Sequence, residues 1–239
     1  MAKTIFHKAD TRGQANHGWL NAHHSFSFAG YHDPERVHFG VLRVLNDDIV
    51  SQGMGFGKHP HDNMEIITII LDGALEHKDS MGHTQAIQTN EVQVMSAGTG
   101  VFHSEYNHNR DKAVNLLQIW LFPEKRNVEP RYDQRLFVQE DRQNSLQTLV
   151  SPISNDDEGL KIHQQAWIYR TNLQAGEVID HKVHTANHGL YLFVIEGSVK
   201  VEGQELNKRD ALGISETEGI TITATANADF ILLEVPMAV

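Results

Sequence analysis

The sequence predicts an all-β protein folded as two small antiparallel barrels in one chain. Three observations carry this. Runs rich in β-branched residues recur along the whole length, short turns of Gly, Asp and Asn punctuate them, and the order of strands and turns in the first half returns in the second. No long amphipathic helix pattern interrupts the series, so helices are expected to be few and short.

Taken in order, the strand-forming runs are HFGVLRVL, MEIITIIL, NEVQVM and VNLLQIWLF in the first half, then LYLFVIEG and GITITATA in the second. Asp72-Gly73 lies between two runs and reads as a hairpin turn, and Glu202-Gly203 marks a similar one. The repeat is visible when IITIILDGALEHKDSMGHTQAIQTNEVQVMSAGTG is set against GLYLFVIEGSVKVEGQELNKRDALGISETEG. Each goes strand, acidic residue plus Gly, strand, polar turn, strand, Gly-containing turn. The polar, Pro-bearing stretches FPEKRNVEPRYDQ and SPISNDDEG separate the copies. The boundary is placed near residue 130, giving a first barrel over 1–130 and a second over 131–239.

Composition narrows the function. With 239 residues and 40% hydrophobic content, the chain can bury two cores. It has no cysteine, which excludes disulfides, thiol nucleophiles, iron–sulfur clusters and thiolate-bound zinc, so any metal must sit on nitrogen and oxygen ligands. The formal net charge of −11 and the lack of a basic stripe argue against nucleic acid as a partner. The start, MAKTIFHKADTRG, has no apolar leader core, and the longest strongly apolar run, Ile66 to Leu71, is too short to span a bilayer. The expectation is a soluble cytoplasmic protein with no membrane contact.

Chemistry concentrates in two short stretches. GKHPHDNME carries His59 and His61 around Pro60, and GVFHSEYN carries His103 and Glu105 at the same spacing. Pro60 forces His59 into extended backbone, and side chains two apart on a strand point the same way. Two neighbouring strands can then deliver four nitrogen and oxygen donors to one point inside a barrel. In a chain with 16 histidines, one His-x-His pair would be an ordinary solvated strand face. Two period-two pairs beside glycine turns point to a metal site. The candidate ligands are His59, His61, His103 and Glu105, with Glu65, on the same strand parity as His59 and His61, as a further carboxylate. In the second half His181, His184 and His188 form no His-x-His pair, and DALGISETEG downstream holds no histidine, so a complete second site is not expected. His77 and the KDSMG segment after it read as a solvated turn.

The motifs extend the reading. Gly53-x5-His59-x-His61-x3-Glu65-x7-Gly73 resembles the first cupin motif, and SAGTGVFHSEYN resembles the second. GWLNAHHSFSFAGYHDP, HPHDNMEI, LDGALEHKDS and MSAGTGVFHSEYN together resemble the pirin family, and more narrowly the short bacterial pirin-like proteins described as quercetin 2,3-dioxygenases. Past Arg131 the resemblance is looser.

What the resemblance implies is a bicupin, two jelly-roll-type antiparallel barrels face to face. It implies one divalent metal in the first barrel, held by His59, His61, His103 and Glu105, with Glu65 a candidate for orienting a ligand or water. Iron(II) is the first expectation for that metal, with nickel, cobalt, manganese, copper and zinc as substitutes. The implied activity is dioxygenase ring opening of a flavonol such as quercetin with O2 and release of carbon monoxide. Glu105 would take the proton of the 3-hydroxyl. Phe39, Phe56, Met64 and Met95 are candidate pocket walls. Animal pirins suggest an alternative, a metal-dependent regulatory protein that binds a protein partner and has only incidental dioxygenase activity. Two barrels covering each other's apolar faces favour a monomer.

Overall fold

The computed structural model describes residues 2–239, and among them the only helices are two single turns of 3-10 helix, Ala9–Thr11 and Gln139–Arg142. All else that is regular is strand. After β1 (Lys3–His7), the first half runs β2 (Gly13–Asn16), β3 (Leu20–His24), β4 (Leu42–Val50), β5 (Gly55–His61), β6 (Glu65–Asp72), β7 (Ala74–Asp79), β8 (Thr84–Gln88), β9 (Glu91–Ser96), β10 (Val101–Asn107), β11 (Val114–Leu121) and β12 (Arg131–Leu136). The second half runs β13 (Gln147–Pro152), β14 (Leu160–Ile162), β15 (Trp167–Leu173), β16 (Val178–Lys182), β17 (His188–Glu196), β18 (Ser198–Val201), β19 (Gln204–Asn207), β20 (Ala211–Ser215), β21 (Gly219–Ala224) and β22 (Ala228–Pro236).

Each half pairs a seven-stranded sheet with a four-stranded one. In the first barrel β12-β9-β6-β11-β4-β3-β2 lies over β5-β10-β7-β8; in the second β1-β20-β17-β22-β15-β13-β14 lies over β16-β21-β18-β19. Hydrogen bonding crosses the division drawn at residue 130 in both directions. β1 pairs with β20, Lys3 opposite Ser215, and so adds the start of the chain to the second barrel. β12 pairs with β9, Arg131 opposite Ser96, and closes the edge of the first.

The two large sheets pack face to face. Leu45, Ile67, Ile69, Leu117 and Ile119 of the first barrel share one buried cluster with Val150, Ile168, Phe193, Ile231 and Leu233 of the second. This explains the unbroken run IITIIL. Ile67 and Ile69 face the other barrel, whereas Ile66 and Ile70 fill the interior of their own, so both faces of β6 are covered and no polar alternation is required. Each such isoleucine contributes roughly 1.5–3 kcal/mol by burial.

Glu202-Gly203 is the expected two-residue hairpin, with Val201 opposite Gln204 and both turn residues at positive φ (49° and 79°). Asp72-Gly73 is not a hairpin. β6 pairs with β9 and β11, whereas β7 pairs with β8 and β10, so the chain changes sheets at Gly73. Gly73 has φ 90°, and a Cβ there would stand 3.0 Å from the Ala113 carbonyl oxygen. A corner between sheets and a hairpin call for the same turn residues, and only the partners of the flanking strands separate them.

Candidate metal centre and its pocket

β5 and β10 are antiparallel neighbours in the small sheet, with His103 opposite His59 and Val101 opposite His61. Along β10 Val101, His103, Glu105 and Asn107 are buried, whereas Phe102 and Tyr106 face out. Along β5 Pro60 is exposed between two half-buried histidines. Period two therefore sends His59, His61 and His103 to one point. Their ring centroids are 4.4–4.9 Å apart, and one donor atom from each lies within 4.8 Å of the other two. Glu105 is the next inward residue of β10, beyond a register shift against β5. Its carboxylate forms a second close group with His103 and His77, and it lines the same cavity as His59 and His61.

Hydrogen bonds set which atom of each side chain is free. His59 Nδ1 donates to the Gly57 carbonyl at 2.8 Å, leaving Nε2 with its lone pair. His103 Nδ1 meets His77 Nδ1 at 3.5 Å, and His77 Nε2 meets Asp79 Oδ2 at 3.1 Å. Asp79 also accepts from the backbone N–H of Met81 and His83 and from the His83 ring. Burial alone would raise the Asp79 carboxyl, but the bonds from His77 and His83 outweigh it and hold the group below its ordinary range. An ionised Asp79 needs N–H on His77 Nε2. His77 Nδ1 is then the acceptor, His103 Nδ1 the donor, and His103 Nε2 an unprotonated donor atom for a cation. On the other flank Thr68 Oγ1 donates to Gln118 Oε1 at 2.7 Å, and Gln118 Nε2 donates to Glu105 Oε2 at 3.3 Å, so Glu105 Oε1 is left over.

Two of these buried atoms, His103 Nε2 and Glu105 Oε1, have no hydrogen-bond partner. Burial, followed by the neighbouring imidazoles, pushes the pKa of His103 far down. Burial, followed by the charge of His59, lowers His61 to about 4. Burial raises Glu105 to about 7, against the opposing bond from Gln118. Neutral imidazoles clustered beside a carboxyl suit a divalent cation, which would satisfy both orphaned atoms.

The cavity leading to this point measures about 450 Å3. Trp19, Phe28, Phe56, Leu75 and Trp120 supply apolar wall, and Asn46, Asp48, Glu105 and Gln118 supply polar atoms.

A family profile described as Pirin matches residues 5–121, and one described as the quercetinase C-terminal cupin domain matches residues 148–235. The quercetin 2,3-dioxygenase of Escherichia coli strain K12 is 42% identical over 229 residues, covering 96% of this chain and 97% of that protein. The chain belongs to the pirin family. Its backbone is that of a bicupin, and the crystal structure of YhhW from Escherichia coli superposes with a TM-score of 0.93 at 41% identity, over 99% of both chains. The nickel(II) complex of the bacterial pirin YhhW gives 0.92 at 40% identity, over 99% of this chain and 100% of that one.

In this pirin Glu65 stands apart from the other predicted site residues. The chain turns between β5 and β6, where Asn63 has φ 45°, so the parity of His59 and His61 does not carry through. Glu65 shares its strand face with Ile67 and Ile69, towards the second barrel, and accepts from Ser96 Oγ at 2.7 Å. Of the candidate walls, Phe56 lines the cavity, Phe39 lies in the core between the barrels, and Met64 and Met95 pack with Ile66. His77, read as a solvated turn residue, is fully buried on β7.

The second barrel of this pirin holds a cluster of a different kind. His181, His184 and His188 all converge on Glu234 of β22, at 2.9, 2.9 and 3.0 Å, and the His184 backbone N–H adds a fourth bond. Burial would raise Glu234, but these bonds hold it far below the ordinary carboxylate range. Three donor atoms here also fall within 4.8 Å of one another. Each ring nitrogen facing the carboxylate is nonetheless occupied by a hydrogen bond, and none of these four side chains has a buried polar atom without a partner. His103 Nε2 and Glu105 Oε1, by contrast, are buried without a partner.

Proposed function

We propose that this pirin is a metal-dependent oxidoreductase acting on a flavonol such as quercetin, opening its heterocyclic ring with O2 and releasing carbon monoxide. One divalent transition metal is held by His59, His61, His103 and Glu105, and the second barrel holds none. The carrying observation is the pair of orphaned buried atoms, His103 Nε2 and Glu105 Oε1, the second belonging to a residue that lines, with His59 and His61, an aromatic-walled cavity of about 450 Å3. Three nitrogens and one oxygen accept iron(II), nickel(II), cobalt(II) or manganese(II), and a structural relative holds nickel(II).

When bound, the metal supplies Lewis-acid polarisation of a substrate oxygen. The remaining work falls to this chain's residues. Trp19, Phe28, Phe56 and Trp120 offer flat faces to a planar ring system, and the volume suits a molecule of three rings. Glu105 accepts the proton of the 3-hydroxyl at Oε1, an atom that would serve the metal only while it carries no proton. Gln118 holds the other carboxylate oxygen, so the basic atom faces the pocket. The apolar walls exclude water from the reacting oxygen.

The test is an absorbance titration under nitrogen. Adding quercetin to nickel(II)-loaded protein is expected to shift the flavonol band, and His61→Ala is expected to abolish the shift. An unshifted spectrum with the metal fully bound would remove the flavonol from the proposal.

A further inference from the structure

Part of the polar lining of the pocket is engaged within the protein. Asn46 Oδ1 accepts from His24 Nδ1 at 2.9 Å, and Gln118 is held between Thr68 and Glu105. Glu105 Oε1 and Trp120 Nε1 are buried without a partner, and Asp48, on the same face of β4 as Asn46, is a third such case and the one carboxylate among them outside the proposed ligand set. It is only 5% exposed, it lines the cavity, and its Oδ1 has no hydrogen-bond partner. Asn115 Nδ2 donates to the Asp48 backbone carbonyl and to Asp47 Oδ1, both at 3.0 Å, and not to the Asp48 carboxyl. Asp47 points the other way, where Arg12 and Arg209 meet it at 3.5 and 3.3 Å. Among the described residues no cation and no hydrogen-bond donor meets the Asp48 carboxyl.

A buried carboxyl without a partner is costly, and nothing in the packing of β4 demands one, because Val44 and Val50 occupy equivalent inward positions on the same strand. Asp48 stands on the large sheet, whereas His59, His61 and His103 stand on the small sheet across the barrel. A planar ligand that reaches the histidines passes between these two walls.

We propose that Asp48 is a substrate-recognition residue, its carboxyl hydrogen-bonding an oxygen of the bound flavonol-type ligand from the wall opposite the histidines. This rests on the flavonol reading of the site. Burial, followed by the charges of Asp47 and Glu105, raises the Asp48 carboxyl in the metal-free chain, and in either protonation state it can meet a ligand hydroxyl, as an O–H donor or as a carboxylate acceptor. The ligand class is an oxygenated planar aromatic, and the energy of the unmet carboxyl is recovered only when such a molecule is present.

The experiment measures quercetin affinity under nitrogen for nickel(II)-loaded wild type, Asp48→Ala and Asp48→Asn, with nickel content and thermal melting followed in parallel. Asp48→Ala is expected to bind quercetin at least about tenfold more weakly, the equivalent of one lost hydrogen bond. Asp48→Asn, which keeps a donor and an acceptor, is expected to stay within a few-fold of wild type. Both variants should hold one nickel and melt at or above the wild-type temperature, because they remove an unsatisfied buried acid. That combination, weaker binding without lost stability, is not produced by a structural role. Wild-type affinity in Asp48→Ala would overturn the proposal and leave the flavonol reading standing, and so would loss of nickel from both variants. Failure of the wild type to bind quercetin would overturn both.

Discussion

Replacing Asp48 by Asn should make the stability of the metal-free protein less dependent on pH, by an amount that the structure sets. In the folded chain burial, followed by repulsion from Asp47 and Glu105, lifts this carboxyl from 3.8 to about 8. The folded state therefore holds a proton that the unfolded state gives up between those values. Stability must fall as pH rises through that window, by about 1.4 kcal/mol per pH unit. Between about pH 5.5 and pH 8 the wild type should lose about 3 kcal/mol from this group as an upper bound, since water entering the cavity would soften the penalty. Asp48→Asn has no such proton. Glu105, raised to about 7, adds its own decline to both proteins and cancels to first order in the comparison. Urea unfolding of the two proteins at both pH values gives the result directly. The advantage of Asn over Asp should widen with pH. A gap that stays constant would mean that the carboxyl is ionised at both pH values, and the account of its burial would be wrong.

Other outcomes follow from the same geometry. His77→Leu removes the acceptor that fixes the His103 tautomer, and should weaken nickel(II) binding by roughly 10–100-fold in a chelator competition titration. Glu105→Gln keeps the bond with Gln118 but loses the anionic ligand and the base. It should bind metal more weakly and show no quercetin turnover. Glu234→Gln breaks the satisfied cluster of the second barrel and should cost about 3 kcal/mol in urea unfolding, while metal analysis still finds one ion per chain. Two ions per wild-type chain would show the second cluster to be a metal site as well.

Much of the fold was legible because strand periodicity is local. MEIITIIL and VNLLQIWLF announce central strands through their unbroken apolar character, and Pro60 between two histidines fixes both extended backbone and side-chain direction. What could not be read is pairing between distant segments. Nothing in KTIFH says that it joins a strand more than two hundred positions away, and Asp72-Gly73 looks the same whether it closes a hairpin or turns a corner between sheets. The site divides along the same line. His59, His61, His103 and Glu105 stand out by their spacing within single strands. Glu65 was carried along by a parity that the turn at Asn63 destroys. His77 and Asp79 have the same period-two spacing as the histidine pair, a signal that the glycine turn just beyond them masks. Asp48 left one trace in the sequence, a charged residue at an inward position of the run VLNDDIV. Its partnerless state depends on what Asn115 and Arg209 do elsewhere in the chain.

The most direct test of the central claim is turnover. Protein loaded with iron(II) under nitrogen, and in parallel with nickel(II), is mixed with quercetin and O2 while flavonol absorbance and carbon monoxide are followed, with His61→Ala and Glu105→Gln run alongside. The account predicts oxygen-dependent loss of quercetin with release of carbon monoxide in the wild type, and neither in the two variants. Full metal occupancy with quercetin untouched in the presence of iron(II), nickel(II), cobalt(II) and manganese(II) would contradict it.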